Sequence, residues 1–192
     1  SKNRVIRLGE NPDYVFNTGC PSIDLARQVL NKKKLEFNPY LKYGGVGAFP
    51  DYENGYLVVM QHPVTNEYQN SRDQVKITLN AIRKINMTTF WFWPNVDNGS
   101  DSISKLIRSY REENEIKKVH FFKNMEGLDF LNLLSFSKGL IGNSSVGIRE
   151  CSFLGIPVIN IGSRQNKRDR SQNVIDVDHD ETEIINAINN IL

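Results

Sequence analysis

The stretch KGLIGNSSVGIRECSFLGIPVINIG, residues 138–162, predicts a strand, a tight turn, a helix and a second strand in direct succession. Lys138–Gly142 and Ile156–Ile161 are short apolar runs bounded by residues such as glycine and asparagine, as strands often are. The segment between them ends at Gly155, and glycine commonly follows the last turn of a helix. Because two strands joined through a helix lie parallel, this stretch predicts a β-α-β unit.

The same alternation extends through the rest of the chain. Further apolar runs predict strands, and their nearly continuous apolar character is typical of parallel strands covered on both faces. The segments between them repeat apolar residues about every 3.6 positions, which predicts helices. Alternating β and α segments predict a Rossmann-like, doubly wound parallel sheet of the α/β class. The further strands are predicted at Tyr14–Gly19, Tyr56–Gln61, Thr88–Trp93 and Lys117–Phe122, and the helices at 22–32 after Pro21, 75–82, 103–110, 128–134 and 184–191.

Two segments depart from this alternation. Leu35–Asn54 contains three glycines within residues 44–47 and two prolines, which predicts a long loop that packs little. Arg164–Gln172 is polar and carries four basic side chains. Because it follows a predicted strand, it should lie at the edge where doubly wound folds bind ligands.

The composition excludes several classes of protein. With 24 Lys and Arg against 22 Asp and Glu, the net charge of +2 is too small for a nucleic acid or a membrane to be the main partner. The apolar runs are far shorter than the roughly 20 residues of a membrane-spanning helix, and the N-terminus lacks the apolar segment of a signal peptide. Cys20 and Cys151 have neither metal-site spacing nor a disulfide pattern. We therefore expect a cytoplasmic protein without a metal or cofactor.

A turn of small residues, Gly142–Gly147, separates the first strand of the quoted stretch from its helix. Unpaired N–H groups and the positive end of the helix dipole favour an anion there, such as a diphosphate. Ser144 and Ser145 add hydroxyl donors, and Glu150, about one and a half turns into the helix, could accept two hydrogen bonds from a ribose diol. Serines also commonly cap helices, and the spacing alone does not separate these two interpretations.

Two further polar residues follow predicted strands on the same side of the sheet. His62 comes directly after Tyr56–Gln61. A histidine in the ligand crevice could bind phosphate or move a proton, because it titrates near neutral pH. Isolated histidines are also often structural, so this interpretation stays open. Asn95 leaves the predicted strand Thr88–Trp93 on the crevice side.

Several motifs occur together, in a particular order and spacing. They are QHPVT at 61–65, PNVDNGS at 94–100, GNSSVGIRE at 142–150 and GIPVINIGSRQ at 155–165. This set closely resembles the hydrolysing UDP-N-acetylglucosamine 2-epimerases of sialic-acid biosynthesis. RVIRLGE at 4–10 and GCPS at 19–22 resemble the region where that family's chain crosses between its two domains. The resemblance covers nearly the whole chain, and motifs in register are more specific together than any one alone.

The resemblance implies one half of a two-domain enzyme of the glycosyltransferase-B type, whose substrate lies in the cleft between two Rossmann-like halves. Residues 1–13 would be an interdomain crossover segment and residues 14–192 the UDP-binding domain, with the N-terminal domain missing from this sequence. A homo-oligomer is expected for the full-length enzyme. The resemblance implies that Ser144 and Ser145 hold the diphosphate, Glu150 the ribose, and Met125 with Phe130 the uracil, while His62, Asn95 and Arg164 face the diphosphate or the sugar.

The reaction that the resemblance implies is elimination of UDP from UDP-N-acetylglucosamine, followed by hydration of the glycal. The products are N-acetylmannosamine, inverted at C2, and UDP. Elimination needs a base at C2 and stabilisation of the charge on the leaving phosphate. The family's carboxylates for proton transfer lie in its N-terminal domain, so His62 is at most an assisting acid. This chain alone is expected to be inactive.

Other functions remain compatible with these residues. Non-hydrolysing 2-epimerases resemble the chain less, because their second-domain motif is of a Ser-Gly-Gly type. Hydrolysing enzymes that act on UDP-N,N'-diacetylbacillosamine are not excluded, since sugar contacts are shared with the other domain. The donor-binding domain of a glycosyltransferase and a non-catalytic nucleotide-binding module are the remaining alternatives.

Overall fold

The computed structural model describes residues 2–94, 100–114 and 116–192, which form a sheet between two layers of helices. The strands are β1 (Val46–Gly47), β2 (Leu57–Met60), β3 (Thr89–Phe92), β4 (Val119–Phe122), β5 (Gly139–Gly142), β6 (Val158–Ile161) and β7 (Val174–Val177). The α-helices are α1 (Lys2–Arg7), α2 (Pro21–Arg27), α3 (Pro39–Tyr43), α4 (Ser71–Ile85), α5 (Ser100–Glu113), α6 (Gly127–Ser135), α7 (Ser145–Ile148), α8 (Glu150–Leu154) and α9 (Glu181–Ile191).

The sheet has the strand order β1-β4-β3-β2-β5-β6-β7. Strands β2 to β7 are parallel, while the short edge strand β1 is antiparallel to β4. The chain order reverses at β2, which pairs with both β3 and β5. The doubly wound α/β fold is therefore confirmed, with β1 as an antiparallel addition. In such folds, ligands bind outside the carboxyl ends of the strands at the point of reversal.

The apolar core occupies both faces of the sheet. Side chains of successive strand residues point to opposite faces, so Val59 contributes to one cluster and Val58 to the other. The first cluster packs against α4, α5 and α9, whose apolar residues recur at helical spacing. The second packs against α6 and α8, with α2 lying on both of these helices. Because both faces are covered, the strands are buried, as their continuous apolar sequence predicts.

Two predictions about the first half of the chain are wrong. Tyr14–Gly19 does not form a strand: a 3₁₀ helix, Pro12–Tyr14, precedes a segment without regular structure. Tyr14 and Phe16 are 79% and 75% exposed, so the apolar run has no neighbouring strand to pack against. The helix predicted over 22–32 ends earlier, at Arg27.

The segment Leu35–Asn54 packs extensively, contrary to the prediction of a loop that packs little. It contains α3 and β1. The ring of Tyr40 lies 4.8 Å from that of His120, and its hydroxyl donates to the carbonyl of Pro50 at 2.5 Å. The two ring nitrogens of His120 lie 2.7 Å from the carbonyl of Ala48 and 2.8 Å from that of Gly44. Aromatic contacts therefore order this segment despite the loop tendency that its glycines and prolines indicate.

The predictions for the second half need two changes. Strand β7 was not predicted, because its residues are partly or fully exposed and lack a continuous apolar run. The helix predicted between Ser145 and Gly155 is two short helices, α7 and α8, separated at Arg149. Arg149 has ψ −73°, which departs from the usual helical value and turns α8 away from α7.

Candidate functional site

The carboxyl ends of β2, β5 and β6 meet at one edge of the sheet, here called the carboxyl edge. Since β5 pairs with both β2 and β6, the residues after these strands are neighbours. His62 follows β2, the serine turn (Gly142–Ser145) follows β5, and Arg164 follows β6. The structure thus brings together four of the predicted site residues, His62, Ser144, Ser145 and Arg164.

Asn143 connects these strand ends. Its side-chain amide donates to the carbonyl of His62 at 2.8 Å, and its side-chain oxygen accepts from the N–H of His62 at 2.7 Å. Its backbone carbonyl accepts from Gln165 Nε2 at 2.7 Å and from Arg164 Nη1 at 3.2 Å. Asn143 is 1% exposed, so these bonds are shielded from water. One buried residue therefore sets the relative positions of His62, Arg164 and the serine turn.

The serine turn presents unused donors. Ser144 is the N-cap of α7, and its hydroxyl accepts from the N–H of Val146 at a long 3.4 Å. The N–H groups of Ser144 and Ser145 have no acceptor within the described part of the chain. The hydroxyl of Ser145 accepts from Arg149 Nη2 at 3.4 Å. The capping interpretation and the anion interpretation are compatible here, because the cap uses only the N–H of Val146.

Glu150 is buried without a full set of partners. The residue is 5% exposed, and Oε1 lies 3.5 Å from Arg149 Nη2. Oε2 is buried and has no hydrogen-bond partner in the described residues. A carboxylate oxygen in this state carries a desolvation cost that a donor from a bound molecule would offset. This arrangement fits the diol acceptor predicted at this position.

Arg164 supplies positive charge at the carboxyl edge. Only one of its N–H groups is engaged in the described part of the structure, with the carbonyl of Asn143, and no carboxylate there lies within ion-pair distance. The nearby Arg170 is instead paired with Asp176, at 3.0 Å from Nε to Oδ2. Of these two arginines, Arg164 therefore has donors and charge left for an anion.

Met125, between β4 and α6, and Phe130, in the first half of α6, lie farther along the same edge. Met125 is 8% exposed, and the ring of Phe130 packs edge-on against Phe92 with centroids 5.1 Å apart. Both belong to the apolar cluster that also contains Cys151 of α8. They therefore share the sheet face on which α7 and α8 lie. Asn95 falls outside the described residues.

A groove of about 410 Å³ runs beside Arg164. Its lining includes Thr65, Glu67 and Ser163. Ser163 donates to one oxygen of Glu67, and Gln74 donates to the other at 3.0 Å. These hydrogen bonds lower the pKa of Glu67 and connect the loop after β2 with the loop after β6. A larger cavity, about 1120 Å³, lies elsewhere, at the ends of β3 and β4.

Sequence reasoning missed two contributors to this arrangement. Asn143 stood inside a quoted motif but looked like an ordinary turn residue, and Gln165 ended another motif. Both are at most 2% exposed, and burial of an amide is not visible in a single sequence. Gln61 Oε1 and Gln165 Oε1 are, like Glu150 Oε2, buried without a partner in the described residues. For Asn143 the signal that could have found it is a polar residue at the end of an apolar run, whereas Gln165, four residues after Ile161, carries no such signal.

The described part of the chain has no group of three His, Cys, Asp or Glu side chains arranged for a metal ion. Nor does it contain a helix with the length and apolar character required to cross a bilayer. Cys151 is buried in the core, and burial raises the pKa of its thiol.

The doubly wound sheet, with its polar carboxyl edge at the point of strand reversal, defines a Rossmann-like chain of the kind that forms half of a two-domain enzyme. Within that class, the chain belongs to the UDP-N-acetylglucosamine 2-epimerase family, whose model matches residues 1–192. The family predicted from the motifs is therefore confirmed.

The relatives that the chain matches are about twice as long. It is 36% identical over 192 residues to the polysialic acid biosynthesis protein P7 of Escherichia coli, covering 98% of this chain and 46% of that protein. It is 33% identical over 178 residues to a hydrolysing UDP-N,N'-diacetylbacillosamine 2-epimerase of Legionella pneumophila, covering 93% of this chain and 45% of the relative. The chain thus spans a little under half of these proteins.

A solved structure shares the fold. The UDP-GlcNAc 2-epimerase of Neisseria meningitidis, bound to UDP-GlcNAc, superposes with a TM-score of 0.67 at 22% identity, over 98% of this chain and 50% of that one. This likeness supports the fold, a half of the glycosyltransferase-B architecture.

Proposed function

We propose that this chain is the UDP-binding half of a hydrolysing UDP-sugar 2-epimerase that converts UDP-N-acetylglucosamine and water to N-acetylmannosamine and UDP. The observation that carries the proposal is the pair of N–H groups at Ser144 and Ser145 that have no acceptor among the described residues, beside Arg164, which has no carboxylate partner there. Backbone donors and a guanidinium together suit a diphosphate. A neutral ligand would leave this charge uncompensated.

The other proposed contacts are with the ribose, the uracil and the sugar of the ligand. Glu150 Oε2 accepts from the ribose hydroxyls, which gives the buried oxygen its missing partner. The backbone of Met125 and the ring of Phe130 receive the uracil on the same face of the sheet. His62 and Asn95 face the diphosphate or the sugar. Residues 1–13 serve as the crossover to the other half, and 14–192 as the UDP-binding domain.

In the proposed reaction, the C2 proton of the substrate leaves to a base while the bond from C1 to the UDP oxygen breaks. Donors aimed at the leaving diphosphate stabilise its developing charge, which is the contribution of this half. Water then adds to the glycal and gives the C2-inverted sugar. The base belongs to the other half, and His62 assists the leaving group at most. We further propose that the full-length enzyme is a homo-oligomer and acts in the cytoplasm.

Calorimetry of this chain with UDP, UMP and uridine tests the diphosphate contact. We expect UDP to bind most tightly and uridine most weakly, because each phosphate adds charge-assisted hydrogen bonds. Ser145→Pro, which removes one N–H at a position where proline is compatible with a helix start, should reduce the preference for UDP. Equal affinities for UDP and uridine would rule out the proposed anion site.

The similarity to a hydrolysing UDP-N,N'-diacetylbacillosamine 2-epimerase favours a second candidate substrate. Both sugars are linked to UDP, so this half binds the shared part of either one. Incubating the full-length protein with each UDP-sugar and identifying the released sugar by NMR distinguishes the two. Transfer of the sugar to an acceptor, without release of a free epimerised sugar, would instead indicate a glycosyltransferase.

A further inference from the structure

We propose that Asn143 is a positioning residue, which holds the serine turn in register with His62 and Arg164 so that the diphosphate donors converge. This inference rests on the proposed function and adds to it a residue that supports the site without contacting the ligand. The side chain and backbone of Asn143 together join the ends of β2, β5 and β6.

The first connection continues the pairing of β2 and β5 beyond the strands. Their regular register ends with Met60 opposite Gly142, and the N–H of Asn143 donates to the carbonyl of Met60 at 3.0 Å. Two residues beyond Met60, the N–H and carbonyl of His62 form a reciprocal pair of hydrogen bonds with the Asn143 side chain. The side-chain amide of Asn143 thus makes the two hydrogen bonds that a backbone peptide unit would make in a longer strand. The backbone after β5 can therefore turn away from β2.

The second connection fixes the loop after β6. The carbonyl of Asn143 accepts from Gln165 at 2.7 Å and from Arg164 at 3.2 Å. Gln165 is 2% exposed, so its donor is held inside the protein. The guanidinium of Arg164 is thereby held next to the serine turn, with its other N–H groups available.

The backbone N–H, the carbonyl and both side-chain polar atoms of Asn143 are all engaged within the protein. The residue is also 1% exposed. It therefore has neither the accessible surface nor the unused polar groups of a ligand contact. The N–H groups of the next two residues, Ser144 and Ser145, have no acceptor in the part of the chain that the structure describes. We therefore assign positioning to Asn143 and ligand binding to the two serines.

The chemistry of the reciprocal pair requires an amide. An aspartate at this position could still accept from the N–H of His62, but its second oxygen would face the carbonyl of His62 without a hydrogen between them. Such a buried pair of acceptors is unfavourable. Asn143→Asp therefore breaks the pairing while keeping the size of the side chain, and because it also adds a negative charge near the diphosphate, the uncharged change Gln165→Met is measured beside it.

Asn173 provides a matched control at the opposite edge of the sheet. Its amide donates to the carbonyl of Ile156 at 2.7 Å, and its oxygen accepts from Ser152 at 3.1 Å. Asn173→Asp removes the same type of contact at a distance from the serine turn. Both variants should lose stability, but only Asn143→Asp should change the recognition of phosphate.

The decisive measurement is the ratio of UDP affinity to uridine affinity, determined by calorimetry on the 192-residue chain. For Asn143→Asp we expect UDP affinity to fall by roughly tenfold or more, with uridine affinity changed by about twofold at most. Asn173→Asp should keep the wild-type ratio. An unchanged ratio in folded Asn143→Asp would overturn the inference. If that variant does not fold, Gln165→Met takes its place, because it removes one donor to the Asn143 carbonyl. We expect Gln165→Met to lower the ratio of UDP affinity to uridine affinity to a smaller extent. An unchanged ratio in that variant would also overturn the inference.

Amide hydrogen exchange separates a failure of this inference from a failure of the proposed function. If wild-type chain binds UDP and uridine equally, the diphosphate site is wrong, yet the positioning role still predicts faster exchange at His62 in Asn143→Ala, which removes both the acceptor of the His62 N–H and the donor to the His62 carbonyl. Exchange at the β3 amides should change less than at His62. Exchange at His62 that is as slow as in wild type, in folded variants, would show that Asn143 does not position this edge.

Discussion

The two edges of the sheet treat buried polar groups differently. At the amino edge, where the parallel strands begin, the buried Thr88 donates to the carbonyl of Asp51 at 2.5 Å, and the half-buried Asn173 is engaged through both its amide nitrogen and its oxygen. At the carboxyl edge, buried oxygens of Gln61, Glu150 and Gln165 have no partner within the described residues. Both edges use similar residue types, so composition does not explain the contrast.

The difference indicates what each edge contributes. A buried polar group with a partner adds modestly to stability, while one without a partner lowers it. A protein that retains such groups loses stability unless a ligand supplies the missing bonds. The amino edge therefore stabilises the fold, and the carboxyl edge has unused capacity for a ligand. The following changes test this contrast, in order of decreasing expected effect.

The largest effect is expected for Gly142→Ala at the start of the serine turn. Gly142 has φ +128°, and an added Cβ would lie 2.1 Å from the carbonyl oxygen of Met60. Because that neighbour is backbone of β2, it has little room to move. We expect the free energy of unfolding, measured by urea denaturation, to fall by about 3 kcal/mol or more.

Gly155→Ala is the matched control for this change. Gly155 also has positive φ, +71°, but a Cβ there would meet no atom within 4 Å. We expect a loss of about 1 kcal/mol, from the left-handed backbone alone. Equal losses in the two variants would mean that the close approach of β2 and β5 does not constrain the serine turn.

An intermediate effect is expected for Glu150→Gln. The affinities for UDP and uridine should both fall by roughly tenfold, because the ribose is common to the two ligands. The melting temperature without ligand should stay constant or rise, since a buried carboxylate with an unpartnered oxygen is replaced by a neutral amide. Calorimetry and thermal unfolding measure the two quantities.

Glu53→Gln, at an exposed glutamate, controls for the change in charge and should leave both quantities unaltered. A fall in melting temperature that accompanies the loss of affinity in Glu150→Gln would indicate a structural carboxylate. In that case Glu150 would contribute to stability in the same way as the partnered polar groups of the amino edge.

The smallest effect concerns His179, which packs over Gly162 at the carboxyl edge. Burial lowers the pKa of its ring below the ordinary value of 6.5, against the opposing charges of Glu67 and Asp178. The unfolded chain therefore binds the proton more readily than the folded chain. The contribution of His179 to stability is present above about pH 6.5 and is lost as the pH falls toward the lowered pKa.

His179→Gln should make the pH dependence of unfolding less steep in this range. Denaturation at a series of pH values, on both proteins, measures the change in slope. Parallel curves for the two proteins would show that His179 has the same pKa in the folded and unfolded chains.

The strands of the central sheet could be predicted because their signal is local. Leu57–Met60 and Thr89–Phe92 are apolar runs whose burial on both faces follows from their composition. Tyr14–Gly19 has a similar run of apolar residues but no partner, and a strand without a neighbour is not stable. Strand β7 forms without an apolar run, because β6 offers it an edge with which to pair.

The candidate site was predictable where it depends on one segment. Ser144, Ser145 and Glu150 belong to one continuous motif, and the turn that presents them follows from small residues between a strand and a helix. Asn143 and Gln165 were not predictable as supports, since their partners lie 81 and 22 residues away along the chain. Contacts between distant segments depend on strand order, which a single sequence does not specify.

The amino-acid sequence by itself determined the α/β class, the family and the residues of the serine turn, because each depends on local composition, periodicity or motif spacing. Only the tertiary structure decided that β5 returns to pair with β2 after β3 and β4 have been added on the other side. That pairing brings Asn143 beside His62, and it leaves the oxygens of Gln61, Glu150 and Gln165 buried without a partner in the described part of the chain. The physical reason is that burial and hydrogen bonding between distant segments arise only when the whole sheet packs.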